Sequence, residues 1–359
     1  MRARLPLMLV LAIAFAAAGC QAIGPASIQR DRLDYAGAIA GSWREQMLLN
    51  IVKLRYFDAP VFLDVSSVIS SYTLQSEVNI EAQSYPFSAS TGANNTNRRL
   101  GVTGTYTDRP TISYTPVTGE KYIDKLLRPI PPQAILAMIQ AGHPADYILS
   151  LTVRAINDVF NYSASPARAR REDPAFFQVI EAIRHIQQAG ALGVRIERRA
   201  KEERTLILFR NKVDPDVEKD IRFVRDTLGI DPDSQEIVLT FGLTRRSGNE
   251  ITLLTRSMWE ILAELSSGVE VPAQDTTEGR ATATPRLSGR PRALPIAQIH
   301  ASSEPPASAY IAARYRDHWF WIDDRDLASK RVFTFLMVFS SIAESGAVPQ
   351  TPIITIPAN

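Results

Sequence analysis

The sequence predicts an α+β fold: mixed antiparallel sheets with packed helices, a long N-terminal β-hairpin, a helical middle and two strand-strand-helix-strand modules. Three observations point there. The apolar period switches repeatedly along the chain between about 3.6 and about 2 residues. Most strand-like stretches alternate apolar with polar residues, the habit of antiparallel sheets with one wet face. Hydrophobic residues make up 45% and charged residues 22% of the 359, enough for real cores, and that length suits about two or three domains.

At the start, Arg2 and Arg4 precede an apolar run from Leu5 to Ala18 that ends in small residues, the order of a secretory signal. The run is shorter than the ~20 residues of a membrane-spanning helix. Ala17-Ala18-Gly19-Cys20 resembles the lipobox of bacterial lipoproteins, with Ala17 where that class prefers Leu. The resemblance covers only the N-terminal segment up to Cys20. It implies cleavage before Cys20, diacylglycerol on its sulfur and usually an N-acyl chain, so that the protein is held to membrane lipid through Cys20. Each buried CH₂ contributes about 0.8 kcal/mol, and two or three acyl chains anchor a protein stably. Gln21, where the class uses Asp as its inner-membrane retention signal, implies the outer membrane, with the protein facing the periplasm of a Gram-negative envelope.

Cys20 is the only cysteine, so its lipidation leaves no thiol for an internal disulfide or a thiolate metal site. Loss of Arg2 and Arg4 with the signal leaves 38 basic against 38 acidic residues. A neutral balance provides no field to attract nucleic acid.

The expected boundaries are a signal peptide at 1–19, a lipidated tether at 20–34, helix plus hairpin at 35–118, a helical segment at 119–190, an α/β module at 191–271, a linker at 272–295 and a C-terminal ββαβ module at 296–359. Ile39, Trp43, Met47, Leu48, Ile51 and Leu54 fall at helical spacing, and Pro60 closes that helix. Val61 to Val65 begins an alternation. A longer one then sets Tyr72, Leu74, Ser76, Val78, Ile80 and Ala82 on one face and Leu100, Val102, Gly104 and Tyr106 on one face of the return strand. Pro131 and Pro132, Gly142, Asp173-Pro174 and Gly190 punctuate three helical pieces in 120–188, with a basic loop at Arg168, Arg170 and Arg171. "VRIERR" and "TLILFR" read as paired strands. "DPDVEKDIRFVRDTLG" reads as a helix ending at Gly229, "EIVLTFG" as a strand and "EITLLTRSMWEILAELSSG" as a helix. Beyond the Pro-, Thr- and Arg-rich linker, "IAQIH" and "SAYIAARYRDHWFWIDD" supply strands, with Trp319 to Ile322 central and covered on both sides. "DLASKRVFTFLMVFSSIAES" is the most buried helix of its module and "TPIITIP" a last strand.

Catalytic patterns are sparse. None of His143, His185, His300 and His318 falls in a His-Glu-x-x-His motif, and no nucleophile elbow or phosphate-binding glycine loop is present. His143 reads as a helix-junction residue, His318 as a strand-end residue, and Glu270, Asp275 and Glu278 as solvated. Asp323, Asp324 and Asp326 cluster where a strand hands over to a helix. They suit either a divalent cation or acid/base pair, or plain helix capping with Arg325 neutralising part of the charge. The capping arrangement is the simpler, since a calcium loop needs more regularly spaced oxygen donors. No cofactor or metal is expected.

Hairpin 72–107 holds the most mechanical content. Tyr72, Leu74, Val78, Ile80, Leu100, Val102 and Tyr106 could face the protein's own helices, or face lipid. In the second case several chains must close a barrel together, because a lone hairpin leaves backbone groups unpaired in hydrocarbon. Three function classes follow. The first is a lipid-anchored structural or assembly component, not an enzyme, which forms a homo-oligomer or docks envelope proteins. The second is a periplasmic binding module for a small envelope ligand, and the third an enzyme using the 323–326 acidic cluster.

Overall fold

The computed structural model describes residues 23–69, 72–84, 96–108, 111–161, 173–199, 202–210, 212–283 and 297–343. The signal segment with Cys20, the 168–171 basic loop and the C-terminal "TPIITIP" lie outside them. The fold is α+β with mixed and antiparallel sheets, and the chain divides into two compact units, residues 61–117 and the remainder.

The larger unit opens with helix α1 (Ile23–Arg55), about 50 Å long at ~1.5 Å per residue. It begins at Ile23, inside the stretch expected to be a tether. Its first half carries exposed Arg32, Leu33 and Asp34, whereas Met47, Leu48, Ile51 and Val52 are buried. The expected apolar stripe therefore does its packing in the last three turns, and α1 belongs to the larger unit, not with the hairpin. The helix ends at Arg55, ahead of Pro60. The Phe57 N–H donates to the Leu54 carbonyl (3.2 Å) and the Asp58 N–H to that of Lys53 (2.9 Å), closing a Schellman motif with Phe57 left-handed (φ 61°).

After α2 (Gly119–Tyr122) and a π-helical turn (Ile123–Leu127) come α3 (Pro132–Gln140) and α4 (Ala145–Thr152). A short hairpin of β5 (Val153–Ile156) and β6 (Val159–Phe160) precedes α5 (Pro174–Gln188), which Asp173 caps by accepting from the Ala175 N–H at 3.0 Å. Then follow β7 (Leu192–Arg199), β8 (Glu202–Phe209), α6 (Pro215–Leu228), β9 (Ile237–Phe241), β10 (Glu250–Thr255) and α7 (Met258–Ser266). The expected stops Gly142, Gly190 and Gly229 all have positive φ. At Gly229 an added Cβ would meet only the movable end of the Arg245 side chain, so it is the left-handed backbone (φ 61°) that calls for glycine.

Three strands lie in stretches that read as helix. β5 and β6 turn on Asn157 and Asp158, both left-handed as a two-residue hairpin requires, within a segment expected to be helical. β10 occupies the first part of "EITLLTRSMWEILAELSSG", and the helix starts only at the Ser257–Glu260 capping box. The six-stranded sheet runs β6-β5-β10-β9-β8-β7, antiparallel except for β9 and β10. Parallel neighbours normally need a crossover of a dozen or more residues. Here Gly242 to Asn249 suffice, because Glu250 clamps the loop by accepting from Arg246 N–H (2.6 Å) and Thr240 Oγ1 (2.7 Å). Those hydrogen bonds hold the Glu250 carboxyl below its ordinary range.

Residues 272–283, expected within a linker, instead carry α8 (Ala273–Thr277) and bury Asp275 and Ala281. The last sheet, β11 (His300–Ser302), β13 (His318–Asp323) and β12 (Ala309–Tyr315), has β13 at its centre, as the apolar run at 319–322 predicts. Helix α9 (Leu327–Ala343) buries Val332, Phe333, Leu336 and Phe339. Among the described residues no helix is long and apolar enough to cross a membrane.

Candidate functional site: an amphipathic two-stranded ribbon

The smaller unit, 61–117, is a two-stranded ribbon. β1 (Leu63–Ile69) pairs antiparallel with β4 (Thr111–Pro116), and β2 (Tyr72–Ser84) with β3 (Thr96–Asp108). From Ser67 onward the described pairs of the two ladders fit one register. Partners step in concert from Ser67↔Ser113 to Ile69↔Thr111 and again from Tyr72↔Asp108 to Ser84↔Thr96, and the two-residue interval between Ile69 and Tyr72 matches that between Asp108 and Thr111. The one described irregularity is a bulge between Val65 and Ser67.

This register decides how the two alternations combine. Leu74 is opposite Tyr106, Val78 opposite Val102 and Ile80 opposite Leu100, so the apolar positions of both strands share one face. Thr73–Thr107, Gln75–Thr105, Glu77–Thr103, Asn79–Gly101 and Glu81–Arg99 share the other. A one-residue slip would have placed each apolar row against a polar one. In the other ladder Val68 pairs with Ile112 and Val65 with Tyr114, where Ile112 is 40% and Tyr114 54% exposed.

The dimensions suit a bilayer. From Tyr72 to Ala82 the strand rises about 33 Å at ~3.3 Å per residue, which projects to about 25 Å at the ~40° tilt of barrel strands, the height of an outer-membrane apolar band. Tyr72 and Tyr106 stand at one end of that band beside Asp108. Ala82 stands at the other, opposite Arg98 and next to the Glu81–Arg99 pair. Gly101 and Gly104 lie within β3, and the ladder runs through both without a register shift. Among the described residues β2 and β3 pair only with each other, which leaves both outer edges of the ribbon without a strand neighbour.

The remaining expected sites resolve into local structure. Asp326 caps α9: its Oδ1 accepts from the N–H groups of Ala328 (3.1 Å) and Ser329 (3.0 Å), and its Oδ2 is bonded to the Ser329 hydroxyl. Burial pushes the Asp326 carboxyl up, but the Ser329 and Ala328 hydrogen bonds together outweigh it and hold the group below its ordinary value. Asp323 Oδ1 accepts from the Arg325 N–H at 2.8 Å, and Asp324 pairs with Lys330 at 2.7 Å, so Lys330 takes the neutralising part expected of Arg325. Among the described residues no group of His, Cys, Asp and Glu is placed to hold a metal ion. His143 sits at the α3–α4 junction with its carbonyl accepting from Gln187 Nε2 (2.8 Å), and His318 opens β13 opposite Tyr315. His185 lies 3.5 Å from Asp220, and His300 lies 3.4 Å from Glu270 with its ring 4.9 Å from that of Trp321.

Asp275 is not solvated as expected. It accepts from Tyr56 Oη at 2.6 Å and lies 3.3 Å from Arg280 Nη1. Arg55 Nη2 donates to the carbonyls of Thr282 (2.7 Å) and Ala283 (2.9 Å), Tyr315 Oη donates to Asp58, and the Arg316 guanidinium covers the Tyr56 ring at 4.9 Å. This clasp fastens the C-terminal end of α1 to α8 and to the β12–β13 turn. Its partners are more than 200 residues apart, so no local pattern in the sequence announces it. Burial and the Asp275 hydrogen bond push the Tyr56 hydroxyl far up, which keeps it a donor. Arg256, 2% exposed, was likewise missed; it donates to the Ser150 (3.1 Å) and Leu151 (3.0 Å) carbonyls at the end of α4. The six-stranded sheet and its helices enclose a cavity of about 40 Å³ among side chains including Leu136, Ile183, Ile207, Val224 and Leu253, all apolar and too tight for an organic ligand.

Against this geometry stand the comparisons: no protein-family model, no curated protein and no solved structure matches the chain.

Proposed function

We propose that the protein is a lipid-anchored assembly component of the bacterial envelope, not an enzyme, whose copies each contribute the 63–116 ribbon to a shared β-barrel in the outer membrane. The observation that carries this reading is the register: it gathers the apolar residues of both strands on one face while, among the described residues, neither edge has a strand neighbour. Hydrocarbon admits such a ribbon only when every backbone group is paired, and each unpaired one costs several kcal/mol. Neighbouring copies supply the missing strands, and closure removes the last edge. Exposed Ile112 and Tyr114 support an outward apolar face. Acyl chains on Cys20 gather the copies on one surface, which raises their effective concentration.

The test is the mass and membrane behaviour of the full lipidated chain extracted in mild detergent. Closed rings are expected, with Val78→Asp lowering insertion into lipid vesicles by at least about tenfold, since a charge near mid-bilayer costs roughly 2–4 kcal/mol. A strict monomer, or a Val78→Asp protein that inserts normally and loses only thermal stability, would sink the proposal.

A further inference from the structure

Resting on the barrel reading above, we infer that the polar face of the ribbon lines a water-filled pore that prefers cations, with Glu77 as its selectivity residue. Lipid takes the apolar face, so the lumen takes the face holding Thr73, Gln75, Asn79 and their partners Thr107, Thr105 and Gly101, all neutral and, Gly101 apart, of a type able to hydrogen-bond water. Only three charged residues occupy that face of the β2–β3 ladder. Glu81 and Arg99 are register partners, so that level carries one charge of each sign. Glu77 is opposite Thr103, with the neutral pairs Gln75–Thr105 and Asn79–Gly101 on either side, so one acidic charge per copy stands at a level of its own. Closing the ring repeats it around the lumen, and a ring of carboxylates between low-dielectric walls concentrates cations and repels anions. The permeant class is therefore small hydrated cations in preference to small anions.

Planar bilayers containing the purified lipidated protein under a potassium chloride gradient test this directly. The wild-type ratio of potassium to chloride permeability should be several-fold above about one, should fall to about one in Glu77→Gln, and should rise in Arg99→Gln, which removes the opposing charge. Thr103→Lys checks the same level from the other strand: with Glu77 retained, it should also bring the ratio to about one or below. Conductance whose ratio is unmoved by both Glu77→Gln and Thr103→Lys would overturn the inference and leave the barrel standing. Membrane-inserted rings with no conductance at all would overturn the pore while leaving the assembly, and the absence of rings would remove both.

Discussion

Asp326 shows how a single side chain can look like chemistry and be structure. Three carboxylates within four residues invite a cation, yet each is consumed by the turn into α9: one caps, one closes an Asx turn and one pairs with Lys330. Removing the cap by Asp326→Ala should lower stability by about 1 kcal/mol at neutral pH. Because the folded carboxyl lies below its unfolded value, its contribution is present above the unfolded value near ~3.9 and fades as pH falls through the folded one. Chemical denaturation of both proteins at neutral and acid pH should show the gap closing as pH falls, and a gap constant with pH would contradict the assignment. The capping role was legible in the sequence, since Asp before a helical apolar run is a local signal. Asp275 was not. It sits in a Pro- and Thr-rich stretch and is buried only because Tyr56 and Arg280 come to it.

For elements, periodicity served well wherever one face is buried and less well where hydrogen bonding overrides habit. β10 reads as the start of a helix because its apolar residues run straight on into the amphipathic period of residues 258–266, although Ser257 and Glu260 mark the true helix start. The end of α1 is a second case. A Schellman motif usually places glycine where Phe57 stands 67% exposed, and a left-handed side chain there is strained by about 1–2 kcal/mol. Phe57→Gly should relieve that strain and, after the entropy of glycine in the unfolded chain, raise stability by a few tenths to about 1 kcal/mol in a thermal melt. A lowered melting temperature would mean that the Phe57 ring makes stabilising contacts that outweigh its backbone strain.

At the scale of the whole molecule the prediction concerns Cys20. Acylation should bring the copies onto one membrane and favour their assembly, so Cys20→Ser should leave the fold and its thermal melt unchanged, abolish labelling by a fatty-acid probe and reduce rings in membrane extracts by tenfold or more. Wild-type protein that takes up no fatty-acid label would refute the anchor. The alternation of residues 72–82 and 100–106, the glycine stops and the N-terminal pattern through Cys20 can be read from the sequence by itself, because each depends on neighbours a few residues apart. Whether the two apolar rows meet on one face depends on a pairing register that no single strand encodes, and the clasp at the end of α1 on contacts between residues more than 200 positions apart. Those were decided only in the tertiary structure, because cross-strand partners and buried polar ties are chosen by the packing of distant segments, for which short-range periodicity carries no information.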